Sequence, residues 1–192
     1  NAASYIVGDG VAVDSNSYTK KLTSFENNAN DAWNLFKSTY TDGATPETTD
    51  VFNIPMSGYD NASHRVEPKC GQNLGLYYGK LDTMARGYAC KGTSTYQNAE
   101  LLADIKKGLE YGYTYYYGVD ILENGKTYGN WYDWDINIPT GLINTLVLIK
   151  DSLTDAEIAK YLAPFDKLVA IPQGAASNRM IALFSLAMST QA

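Results

Sequence analysis

The chain has 192 residues, 45% apolar and 19% charged, with a formal net charge of −6. That length holds one domain with a sizeable core, and the composition is globular rather than disordered. The acidic balance offers no global positive field for nucleic acid or an anionic membrane, and no run of about 18 apolar residues is present to span a bilayer.

Residues 1–16 read as an irregular or extended leader with Gly8, Gly10 and alternating valines, and Asn1-Ala2-Ala3-Ser4 suits a processed N-terminus. The spacing of Leu22, Phe25, Ala29, Ala32, Trp33 and Phe36 predicts a helix over 17–41, stopped by Thr41-Asp42-Gly43. Residues 42–70 are rich in Thr, Pro, Asn, Asp and Ser and read as a long loop with one short turn around Val51–Ile54. A second helix carries the stripe Leu74, Tyr77, Tyr78, Leu81, Met84, Ala85 and Tyr88, and a third carries Leu102, Ile105, Leu109, Tyr113 and Tyr116. Leu142, Leu146, Ile149 and Leu153 mark another, opened by Pro139 in its first turn, where the missing N–H is harmless. Thr154-Asp155-Ala156-Glu157 is a capping box for a short helix, and Met180 to Met188 reads as a last one. With no βαβ alternation and no sustained strand pattern, the chain is expected to be all-α and a single domain over 1–192.

Cys70 and Cys90 sit near the ends of one predicted helix. A bridge between them needs α-carbons within about 7 Å, so it requires the helix to begin well after Cys70; a straight helix between the two excludes it. With one histidine and no CxxC spacing, no zinc site, other metal or cofactor is expected. His64, beside Arg65 in the polar loop, reads as a surface residue. Asn61-Ala62-Ser63 is a glycosylation sequon in the same loop, and together with the cysteines it leans towards a secreted protein.

The densest chemistry lies in Asn130-Trp131-Tyr132-Asp133-Trp134-Asp135-Ile136-Asn137-Ile138-Pro139. Each tryptophan ring carries roughly 150–250 Å² of surface, so this corner is either tightly packed or built to stack on a flat, half-apolar ligand such as a sugar. Trp131, Tyr132 and Trp134 are the stacking candidates, with an inward, core position as the other reading of Trp134. Asn130 either holds the loop or meets sugar hydroxyls. Asp133 and Asp135 suggest a glycosidase acid pair, but two positions apart in a turn they read better as caps of the following helix. The phenols of Tyr111, Tyr113, Tyr115, Tyr116 and Tyr117 fall around a helix and read as packing.

The run from Asn130 to Pro139, with Gly141-Leu142-Ile143-Asn144-Thr145-Leu146 after it, resembles the aromatic-patch motif of polysaccharide lyase family 8. Gly174-Ala175-Ala176-Ser177-Asn178-Arg179 is similar to that family's Gly-Ala-Asn-Arg turn, with two additional residues, and Leu81-Asp82-Thr83-Met84-Ala85 adds a weaker likeness. The family usually has tryptophan where Tyr132 stands and glycine where Asn137 stands. The resemblance implies an (α/α) toroid, incomplete in this chain, and β-elimination at a uronic acid of hyaluronan-, chondroitin-, xanthan- or alginate-like polymers. It implies Asn178 as the catalytic amide that neutralises the sugar carboxylate, where the residues alone read better as a helix N-cap. Arg179 becomes a candidate for pairing with a substrate carboxylate, or with a neighbouring acid on the surface.

The family's histidine base and tyrosine acid lie downstream of that turn, whereas this sequence ends fourteen residues after Asn178. The expected partners are therefore an acidic polysaccharide and the downstream remainder of the same enzyme, with further helices and β-domains. The alternatives are a non-catalytic carbohydrate-binding helical domain and, more remotely, a glycosidase using Asp133 or Asp135.

Overall fold

The computed structural model describes residues 15–55, 70–125, 127 and 130–169. Among these there is no strand. The elements are α1 (Ser15–Thr39), a 3₁₀ turn (Val51–Asn53), α2 (Cys70–Ala89), α3 (Ala99–Tyr115), α4 (Val119–Asn124), a π-helical turn (Asp133–Asn137), α5 (Ile138–Leu148), a second 3₁₀ turn (Lys150–Ser152) and α6 (Asp155–Val169).

The first helix matches its apolar spacing: Ala29, Ala32, Trp33 and Phe36 are buried, and it ends two residues earlier than predicted. The Thr39 hydroxyl donates to the Leu35 carbonyl at 2.7 Å and accepts the Phe52 N–H at 2.9 Å, tying the end of α1 to the 3₁₀ turn. Phe52 adopts a positive φ of 61°, uncommon for a bulky residue. Its buried ring packs on Phe36 and Tyr77.

Helix α2 is central, packing most extensively against α5 and α1 and also against α3 and the π turn. Its predicted stripe from Leu74 to Ala85 is buried throughout, with Tyr88 half-buried. Close approach to α5 depends on Gly141, where a Cβ would lie 2.8 Å from the carbonyl carbon of Tyr78 and 2.9 Å from its oxygen. Because α2 begins at Cys70 itself, about 1.5 Å of rise per residue separates Cys70 from Cys90 by roughly 30 Å. A bridge is excluded by that length, and Cys90 is a buried free thiol.

In α3, Ile105 and Leu109 of the predicted stripe are buried, as is Tyr116 just past the helix end, but Leu101 and Gly112 are buried in place of Leu102 and Tyr113, which are half-buried. Asn98 caps the helix by accepting the Leu101 N–H at 3.0 Å. The expected capping box opens α6: the Glu157 N–H donates to the Thr154 hydroxyl at 3.2 Å, and the Thr154 N–H donates to Glu157 at 2.8 Å. Helix α6 then runs on through Pro164 for fifteen residues, held by buried Tyr161 and Phe165.

Candidate functional site

Helical backbone starts at Trp131, eight residues before Pro139, and runs without a break through the π turn into α5. α5 itself begins at Ile138 with Pro139 in its first turn, as expected, but the helical backbone upstream of it was not expected. A proline inside a helix removes one N–H and crowds the carbonyl four residues back. The π turn just before it eases the crowding: the Ile138 N–H reaches the Asp133 carbonyl, five residues away, in a coil wider where the ring must fit. The sequence carries a signal for the earlier start, because Trp134, Ile138, Leu142 and Leu146 recur every four residues and all are buried.

Asn130 caps this helix. Its Oδ1 accepts the Tyr132 N–H and its carbonyl accepts the Asp133 N–H, both at 3.1 Å. The next two side chains face outwards: Trp131 is 55% and Tyr132 45% exposed, with ring centroids 5.9 Å apart and planes at 82°. They present two aromatic surfaces nearly at right angles.

Trp134 does not join them. It is 2% exposed, its ring lies 6.2 Å from Tyr117 at 23°, and the Tyr117 hydroxyl donates to its carbonyl at 3.5 Å. The stacking expectation for Trp134 therefore gives way to its core reading. A π turn takes more residues per revolution than an α turn, so positions three apart no longer share a face.

Asp133 and Asp135 are not caps either, since Asn130 holds that position. Asp133 is buried, accepts the Asn137 side-chain amide at 2.8 Å, and lies against Gly71, where a Cβ would come within 3.0 Å of its own. Gly75 meets Asn137 in the same way at 3.1 Å. These two glycines on α2 let the π turn settle directly on the central helix. Asp135 is half-buried, and burial pushes its carboxyl above the usual aspartate range.

Burial also drives the Tyr77 and Tyr117 hydroxyls well up, and Tyr111 to about 12. That is the opposite of what a tyrosinate base at neutral pH needs, and supports reading these tyrosines as packing. Among the described residues no three His, Cys, Asp or Glu side chains converge as a metal site, and no helix is long and apolar enough to cross a membrane. Asn61, His64, Asn178, Arg179 and the helix expected from Met180 to Met188 lie outside the described residues.

Comparison with known proteins places this corner in context. A family model described as the N-terminal alpha-helical domain of polysaccharide lyase family 8 matches residues 3–183. Hyaluronate lyase HylB of Enterococcus faecalis is 33% identical over 111 residues, 53% of this chain and 11% of the relative. Xanthan lyase of a Bacillus species is 32% identical over 94 residues, 49% of this chain and 10% of the relative. The chain thus spans about a tenth of the length of these curated relatives. Among solved structures, a Paenibacillus xanthan lyase superposes with a TM-score of 0.70 at 21% identity, covering 91% of this chain and 15% of that one. Chondroitin AC lyase of Streptomyces coelicolor A3, solved with chondroitin sulphate, gives 0.64 at 23% identity, covering 87% and 19%. The all-helical architecture is that of the (α/α) toroid of these lyases.

Proposed function

Because the chain belongs to polysaccharide lyase family 8, as its N-terminal α-helical domain, we propose that it forms the sugar-holding part of an enzyme that cleaves a uronate-containing polysaccharide by β-elimination. The observation that carries this reading is the outward pair Trp131 and Tyr132 at a helix entrance capped by Asn130, within the segment that resembles the family's aromatic patch.

In the elimination a base removes the proton at C5, the electron pair forms the C4=C5 double bond, and the C4–O bond breaks as an acid protonates the leaving oxygen. The difficulty is charge: the C5 carbanion lies beside a carboxylate, and the intermediate would be doubly negative. An uncharged donor aimed at that carboxylate lowers the barrier, and preorganised donors of this kind are worth about 10²–10³ in rate. Asn178 is assigned that task, with Arg179 beside it for the anionic group. Trp131 and Tyr132 stack on the sugar, and Asn130 sets their angle. The base and acid, a histidine and a tyrosine in the family, come from the downstream remainder of the enzyme. Such a polymer lies outside cells, so the enzyme is placed there too.

The test is formation of unsaturated uronide, followed by its ultraviolet absorbance, from hyaluronan, chondroitin, xanthan and polymannuronate by the chain joined to that remainder. Asn178→Ala should retain saccharide binding and lose nearly all turnover; an unchanged rate removes its role. Binding of the polymers with no unsaturated product would instead identify a carbohydrate-binding domain.

A further inference from the structure

A shallow groove of about 330 Å³ lies between the end of α1 with its following turn and α3. It belongs to elements other than the one that carries Trp131 and Tyr132. Its lining is mostly polar, backed by aromatic rings. The Tyr40 ring lies parallel to Phe36, with centroids 4.8 Å apart and planes 12° apart, and stands edge-on to Tyr111 at 5.9 Å. Two buried rings thus hold a half-exposed one in place. Desolvation and nearby Asp42 keep the Tyr40 hydroxyl protonated, as a donor.

The rim is charged. Exposed Lys37 places its ammonium 3.9 Å over the ring of Trp33, whose indole N–H is fixed by Asp104 at 2.7 Å. Among the described residues Lys37 forms no ion pair with a carboxylate. Lys107 lies 3.5 Å from Asp42, 3.9 Å from Asp104 and 6.0 Å from the Tyr40 ring. The pair with Asp42, between exposed groups, is weak, and the contact with the half-buried Asp104 is long. Both ammonium groups are therefore available to an incoming anion, while the Asp42 carboxylate, 83% exposed, remains an acceptor for hydroxyls.

We propose that this groove is a second saccharide site, taking an acidic sugar unit of an anionic polysaccharide apart from the Trp131–Tyr132 corner. The Tyr40 hydroxyl donates to an oxygen of the sugar. Lys37 and Lys107 meet its carboxylate, and Asp42 accepts from its hydroxyls. The volume is at the small end of ligand sites, about 300–1,000 Å³, and suits a short stretch of chain rather than a long one. A polymer that reaches both sites gains avidity through effective concentration, a gain that a single sugar lacks. The ligand class follows from the groove's own chemistry and stands whether or not the chain takes part in elimination.

The experiment titrates the isotope-labelled chain with a hyaluronan hexasaccharide and with its carboxyl-reduced, neutral counterpart, following backbone amide shifts. The acidic saccharide should move amides at 37–42 and 104–107, and should still do so in a Trp131→Ala/Tyr132→Ala variant. A Lys37→Gln/Lys107→Gln variant with an unchanged melting temperature should bind there about tenfold more weakly. Silence at 37–42 and 104–107 up to millimolar saccharide overturns the proposal, as does an equal response to the neutral hexasaccharide. Shifts at 130–135 report separately on the lyase reading.

Discussion

Between α2 and α3, Tyr77, Tyr78, Tyr111, Tyr116 and Tyr117 are buried and meet one another mostly edge to face, whereas at the start of the 131–148 helix Trp131 and Tyr132 meet edge to face in the open. The two regions use the same side-chain chemistry for different ends. In the first, ring edges pack against ring faces, the Gly108 carbonyl accepts from the Tyr77 phenol at 2.8 Å, and the Trp134 carbonyl accepts from Tyr117 at 3.5 Å. In the second, apolar surface is exposed at a capped helix start, where no neighbour among the described residues buries the rings. Trp134, three residues on, belongs to the first region. A single turn of backbone separates an interior aromatic from a ligand-facing one.

Substitutions across that turn give the largest expected contrast. Trp134→Ala should destabilise the chain by about 3–5 kcal/mol, read as a lower denaturant midpoint, while Trp131→Ala should stay within about 0.5 kcal/mol. Equal losses would dissolve the distinction between the two regions. Gly141→Ala should cost about 1–3 kcal/mol by forcing α5 away from the Tyr78 backbone; the exposed neighbour Thr140→Ala is the control, and an undisturbed melting temperature for Gly141→Ala would show that the helices yield easily. The outward pair should show its effect in binding instead. Trp131→Ala/Tyr132→Ala should weaken an acidic oligosaccharide at that corner about tenfold or more by amide shifts at 130–135, with little change in unfolding.

Smaller effects lie at the edges of both regions. Thr154→Ala should cost about 1 kcal/mol through loss of the α6 cap, seen in thermal unfolding. Two carboxyls should give opposite pH trends. Burial raises Asp82, against the pull of Arg86 and the Asn144 amide; the native state then holds that proton more tightly than the unfolded chain. Its contribution should therefore become more favourable as pH falls through the raised value towards the ordinary one, and Asp82→Asn should remove this component. Glu157 is lowered by the Thr154 N–H and hydroxyl, so its contribution is full above the ordinary value of 4.5 and fades as pH falls through the lowered one. Melting temperatures across acid pH, compared between the parent chain, Asp82→Asn and Thr154→Ala, separate the two slopes.

The sequence by itself determined the long helices α1, α2 and α3, the start of α6 and the character of the corner; it did not show α4 or the helical start at Trp131. Apolar spacing located α1 and α2 to within a few residues, because burying one stripe is the common requirement of any helix in a packed domain, and the Thr154–Glu157 capping box located the start of α6. The Asn130–Pro139 run and its neighbours also pointed to the family, since a dense aromatic and amide cluster is rare enough to carry information. Tertiary structure alone decided which aromatic faces outwards. Linear spacing assumes a uniform helical period, and the π turn before Pro139 breaks that period; it rotates Trp134 onto Tyr117, buries Asp133 against Gly71 and leaves Trp131 and Tyr132 in water. The α1–α3 groove was equally illegible, because Lys37, Tyr40, Asp104 and Lys107 are brought together only by packing between helices far apart in the chain.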